Sequence, residues 1–98
     1  MKRHVFHPEA AEEYAGAAEY YKAVDPQIAG RFYTEIQQLI ANVCRSPERY
    51  PMFASPIQRH FSTVFPYAII FRDRGDDVLI IAVMHMKRRP GYWRHRLA

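Results

Sequence analysis

The chain has 98 residues and a mass of 11.6 kDa, room for one small core and no second active domain. Its 49% hydrophobic and 14% aromatic content excludes a disordered chain, and no apolar run reaches the ~20 residues of a membrane-spanning helix. The formal charge of +4 is unevenly spread: residues 1–49 hold six Lys/Arg against seven Asp/Glu, residues 50–98 hold eight against three, and no acid follows Asp77. That asymmetry points to an anionic partner for the C-terminal half, either nucleic acid or an acidic protein segment. The opening residues lack the apolar core of a signal peptide, which predicts a cytoplasmic protein. A lone cysteine, Cys44, excludes an internal disulfide and a cysteine-based zinc cage; it falls on an apolar helical stripe and reads as a core thiol.

In chain order, residues 2–7 carry only Val5 and Phe6 as strong apolar groups and read as a brief strand or lead-in. Pro8 starts a helix whose first turns carry Glu9, Glu12 and Glu13, favourable at the positive end of the helix dipole. Its apolar stripe is Ala10, Tyr14, Ala17, Ala18, Tyr21 and Val24, with Glu12, Glu13, Glu19 and Lys22 read as solvated charge. Asp25-Pro26 then stops one helix and starts another, Asp25 as N-cap and Pro26 at the first helical position, so the two form a hairpin. The second helix runs to about Arg45 with Ile28, Ala29, Phe32, Ile36, Leu39, Ile40, Val43 and Cys44 on one face, and spans ~28 Å.

Residues 46–56 contain three prolines and read as an irregular, partly extended connection. Residues 57–63 form a strand of mixed polarity suited to a sheet edge. Phe65–Arg72 and Val78–Lys87, joined by the turn residues Arg74-Gly75-Asp76-Asp77, read as an antiparallel hairpin. Placing Arg72 opposite Val78 puts Phe65, Tyr67, Ile69, Phe71, Leu79, Ile81, Val83 and His85 on the core face. The other face, with Ala68, Ile70, Arg72, Val78, Ile80, Ala82, Met84 and Met86, is largely apolar too. It is either a groove for a partner or a surface closed by a terminal segment of the same chain. The predicted fold is therefore α+β, a single domain over residues 1–98: an N-terminal strand, then a helical hairpin packed on a C-terminal three-stranded antiparallel sheet, and a basic tail.

That tail concentrates the chemistry. His85, Lys87, Arg88, Arg89, Tyr92, Trp93, Arg94, His95 and Arg96 fall within twelve residues. Cations interleaved with rings hold phosphates and stack on bases, although a tryptophan in a short tail also serves to dock it on its own core, the reading preferred for Trp93. His85 ends a strand on the core face, where it is either a hydrogen-bonded core histidine or a group for proton transfer. No nucleophilic constellation, phosphate-binding glycine loop or metal-ligand spacing stands out, so neither cofactor nor metal is expected.

The ordered set HPEAAEEYAGAAEYY, AGRFYTEI, FPYAIIF and AVMHMKRRPGYWRHR resembles the RelE/ParE superfamily of toxins from type II toxin-antitoxin operons, across nearly the whole chain. The resemblance implies a toxin of plasmid-stabilisation type that causes growth arrest and is neutralised in a complex with a cognate antitoxin. The acidic, amphipathic C-terminal segment of that antitoxin wraps the toxin. Two activities occur in the superfamily: RelE-like members cut messenger RNA on the ribosome, and ParE-like members poison DNA gyrase. RelE-type nucleases usually place an arginine after the tyrosine of the middle strand, where this chain has Tyr67-Ala68. The FPY strand and the tail are similar to ParE-like proteins, so gyrase is the favoured target. For the nuclease alternative, the resemblance implies Arg59, His85, Arg88 and Tyr92 as functional groups. The target-binding candidates are Lys87, Arg88, Arg89, Tyr92, Trp93, Arg94 and Arg96. A bare nucleic-acid-binding module built on the tail is a third reading.

Overall fold

The structure, a computed structural model, describes residues 1–97. Strand β1 (Arg3–Phe6) leads into α1 (Pro8–Val24) and α2 (Pro26–Arg45), followed by β2 (Met52–Ala54), β3 (Ile57–Phe61), β4 (Tyr67–Asp73) and β5 (Asp77–His85). Short 3-10 turns lie at Pro47–Arg49 and Arg94–Leu97. Both helices begin with proline just after a capping side chain. The His7 ring accepts from the Glu9 N–H at 3.0 Å, and Asp25 Oδ1 accepts from the Gln27 N–H at 2.9 Å. Asp25 also closes α1 by donating its own N–H to the Tyr21 carbonyl at 2.8 Å, so one residue ends the first helix and starts the second.

The sheet has five strands rather than three, in the order β1-β5-β4-β3-β2. The N-terminal strand joins it parallel to β5, and the short β2 pairs antiparallel with β3. Thus β3 is interior, and its mixed polarity has another cause. Gln58, 3% exposed, turns toward the helices and donates its amide N–H groups to the Pro47 and Tyr50 carbonyls, both at 2.7 Å, satisfying the connection that crosses beneath it.

The hairpin turn at Gly75 (φ +94°), a backbone conformation glycine adopts freely, sets Asp73 opposite Val78. A bulge then shifts the register, so that Phe71 faces Ile80 but Ile70 faces Ala82. In consequence Val78 and Ile80, not Leu79 and Ile81, join Ile69, Phe71 and Val83 under the helices. Ile81 and Ala82 fall together on the opposite face.

Two cores result. Between helices and sheet, Phe32 is fully buried, its ring 5.0–5.3 Å from those of Tyr21, Phe65 and Tyr67. The buried Ala10 and Ala17 let α1 lie close to the sheet, while Val24, at the last turn, is 61% exposed and leaves the expected stripe. Cys44 is buried in this core, and burial pushes its thiol pKa up. Across the sheet, Ile57, Ile70, Ile81 and Ala82 form the second core, closed by Trp93.

His60 sits at the rim of the first core, 4.3 Å from the Tyr50 ring, with Nε2 3.2 Å from Asn42 Nδ2. Burial lowers its pKa below the ordinary histidine value, partly opposed by Glu35. The unfolded chain therefore takes up this proton first as the pH falls. Stability is unaffected well above pH ~6.5, then declines as pH drops from there toward the lowered folded-state pKa. Urea titrations between pH 8 and 5 should show a shallower acid-side decline for His60→Gln than for the wild type; identical slopes would refute this role.

Candidate functional site: a basic turn clasped to the first helix

After His85 the chain turns back across the second face of the sheet. Arg89-Pro90-Gly91-Tyr92 forms a tight turn, closed by the Tyr92 N–H donating to the Arg89 carbonyl at 3.2 Å. Proline at the second position and Gly91 at φ +74° in the third suit a type II turn. The side of Gly91 is also occupied: a Cβ there would meet Arg94 Nε at 2.7 Å.

The turn is fastened by a carboxylate that the sequence reading placed in solvent. Glu13 on α1 accepts from Arg96 Nη1 at 2.7 Å and Nη2 at 3.1 Å, and from the Tyr92 hydroxyl. Arg96 Nη1 also donates to the Ile81 carbonyl at 2.9 Å. The Arg96 side chain is only 4% exposed, and its Nε, buried without a hydrogen-bond partner among the described residues, lies 3.8 Å from Glu9 Oε1. Burial opposes the charge on Arg96, but the bonds to Glu13 outweigh it and raise the guanidinium pKa. Burial, then the hydrogen bond to Glu13 and its charge, push the Tyr92 hydroxyl far above the ordinary tyrosine value, so Tyr92 stays a proton donor. One turn earlier, Glu9 meets His95 Nε2 at 2.9 Å, and that hydrogen bond lowers the Glu9 pKa.

The other basic residues face outward. Lys87, Arg88, Arg89 and Arg94 are exposed. The Arg88 guanidinium lies 4.0 Å from the centre of the Tyr92 ring, and that of Arg94 5.3 Å from the Trp93 ring. Trp93 itself is 1% exposed, edge-on to Phe53 at 5.7 Å. Arg59 on β3 stands over the Phe53 and Phe61 rings at 4.4 and 5.0 Å. Together Arg59, Arg88 and Arg94 ring a groove of about 360 Å³ with Phe53, Met84, Met86 and Trp93 as its apolar lining. The second sheet face is therefore partly closed by the chain's own tail and partly left as a cationic, apolar-floored cleft.

His85 lies on the other side of the sheet. Opposite Tyr67 in register and 5.1 Å from its ring, it faces the helices and helps line a hollow of about 250 Å³ with Glu13, Tyr20, Tyr67 and Arg88. Its Nδ1 accepts from the Lys87 N–H at 3.0 Å. Of the four residues named for a nuclease, Arg88 stands over the Tyr92 ring and lines both the groove with Arg59 and the hollow with His85, but His85 is separated from Arg59 by the sheet. Among the described residues no group of three or more His, Cys, Asp or Glu side chains could hold a metal ion. No described helix is long and apolar enough to cross a membrane.

Sequence reasoning missed Glu13 and Phe53. A signal for Glu13 was available: Glu9 and Glu13, one helical turn apart, border the Ala10–Ala17 stripe, and a tail rich in cations holds no acid of its own.

The fold and the site can be set beside known proteins. In solved structures, the chain matches one from the "Chromosomal ParDE TA system from P. aeruginosa" with a TM-score of 0.74 at 15% identity. The match covers 87% of this chain and 96% of that one, a likeness of fold. No curated protein matches. The family model described as "ParE toxin of type II toxin-antitoxin system, parDE" matches residues 5–90, from β1 to the start of the basic turn, and leaves Tyr92 and Arg96 just beyond it. With most of its length matched, from the parallel N-terminal strand through the helical hairpin to the end of the central β-hairpin, the chain belongs to the ParE toxin family of type II toxin-antitoxin systems.

Proposed function

We propose that this toxin arrests growth by binding DNA gyrase rather than by cutting messenger RNA on the ribosome, the whole chain acting as one toxin domain. The observation that carries the choice is that the nuclease candidates do not converge on one point: His85 and Arg88 share a hollow on the helix side, Arg59 lies across the sheet from His85, and the Tyr92 hydroxyl is engaged by Glu13. General acid–base chemistry needs its groups within hydrogen-bond reach of one reacting phosphate. Ala68, where RelE-type nucleases usually carry arginine, is completely buried, which also supports a binding role.

In this reading Lys87, Arg88, Arg89 and Arg94 meet the target, Tyr92 orients Arg88, and the buried Trp93 and Arg96 hold the turn in place. The antitoxin supplies an acidic, amphipathic segment whose charge complements the same arginines. The test is to add purified protein to a gyrase supercoiling reaction and to a translation extract. Supercoiling should fall while translation continues. Translation loss accompanied by messenger cleavage, with gyrase unaffected, would overturn the proposal in favour of a ribosome-dependent nuclease.

A further inference from the structure

Strand β1 accompanies β5 only as far as the Phe6–Ile80 pair, and the His7 N–H adds a last bond to the Ile80 carbonyl at 2.9 Å. Beyond that point β5 has no neighbouring strand on this side among the described residues. Unpaired edge groups need partners. Two arrive as side chains: Arg96 Nη1 donates to the Ile81 carbonyl at 2.9 Å, and Glu13 Oε1 accepts from the Val83 N–H at 3.1 Å. These side chains are bonded to each other, and Glu13 also takes the Tyr92 hydroxyl. A carboxylate from the first helix and a guanidinium from the last turn thus stand in for the missing strand, at the point where the bulge has displaced Ile81.

We infer that Glu13 is a positioning residue for toxicity: it docks the C-terminal turn, and through it the exposed cations that meet the target. The linkage runs through rings. Tyr92, held by Glu13, carries Arg88 4.0 Å from its ring centre, and the neighbouring Trp93 carries Arg94. With Glu13 neutralised, Arg96 becomes a buried charge that has lost its hydrogen-bonded counter-ion and keeps only the half-exposed Glu9 at 3.8 Å, and the docked turn loses about a hundredfold or more in population. The inference rests on the reading that the tail cations face the target. Its test scores growth arrest rather than gyrase, so the choice of target can fail without deciding it.

The single tryptophan, Trp93, reports docking directly, because it is buried only while the turn is in place. Glu13→Gln keeps the shape of the side chain and removes its charge. Expressed without antitoxin, it should fail to arrest growth at wild-type protein levels. The purified protein should keep its far-ultraviolet circular dichroism while Trp93 emission shifts to the red and becomes quenchable by acrylamide. Tyr92→Phe, which deletes one bond to Glu13 and leaves the ion pair, should move both readouts part of the way; if Glu13→Gln does not fold, Tyr92→Phe is judged by the same two criteria. Growth arrest that survives with Trp93 exposed would overturn the inference. So would loss of arrest with Trp93 still buried, since Glu13 would then act other than through the turn.

Discussion

Replacing Trp93 with alanine should lower the unfolding free energy by about 3–5 kcal/mol, the range for deleting a large buried aromatic side chain. Trp93 is 1% exposed and closes a second core whose other buried members are Ile57, Ile70, Ile81 and Ala82, with Ala54, Leu79, Met84 and Tyr92 partly buried against it. Side chains held on sheet strands cannot collapse fully into the space an indole leaves. The loss is a large share of the 5–15 kcal/mol that holds a typical domain together. Circular dichroism must follow the urea transition, because the substitution removes the only tryptophan. A loss below about 1 kcal/mol, the scale of an ordinary surface change, would mean that the C-terminal turn contributes little to the fold.

That second core also marks where the sequence was legible and where it was not. The helical hairpin could be read because Pro8, Asp25 and Pro26 are local signals and the α2 stripe repeats every three to four residues. The β4–β5 pair was equally clear in kind, but its register was not. Ile80, Ile81 and Ala82 are all apolar and all buried, so alternation offers no contrast from which to locate a bulge. The N-terminal strand could be read as a strand, but its four residues give no sign that it pairs parallel with β5, and β2, three residues in a stretch punctuated by prolines, is too short for periodicity to speak.

Glu13 failed for a different reason. Helix-face logic assigns a carboxylate to solvent unless something distant claims it, and its partner is 83 residues away in sequence. Trp93 as an anchor was readable from chemistry alone, since an indole in a short cationic tail has more to gain from the core than from water. The two alternatives for the second sheet face turn out to be complementary. The tail covers Ile70, Ile81 and Ala82, and the cleft around Met84, Met86 and Phe53 stays open.

The same geometry decides how the role of the basic turn should be probed. Deleting the chain after Lys87 would remove the target-facing arginines together with Trp93 and Arg96, and lost folding could not be told from lost recognition. Arg88 and Arg94 are the better probes. Both are exposed and neither takes part in a described salt bridge, so alanine at each gives up a ring contact worth roughly 0.5–1 kcal/mol and no buried charge. The decisive measurement is growth arrest on induction of the Arg88→Ala/Arg94→Ala protein without antitoxin, alongside the urea midpoint of the purified protein. The double variant should unfold within about 2 kcal/mol of the wild type and no longer arrest growth, because charge is removed from a scaffold that remains intact. Full arrest at wild-type protein levels would contradict the claim that the cationic turn is what this toxin presents to its target.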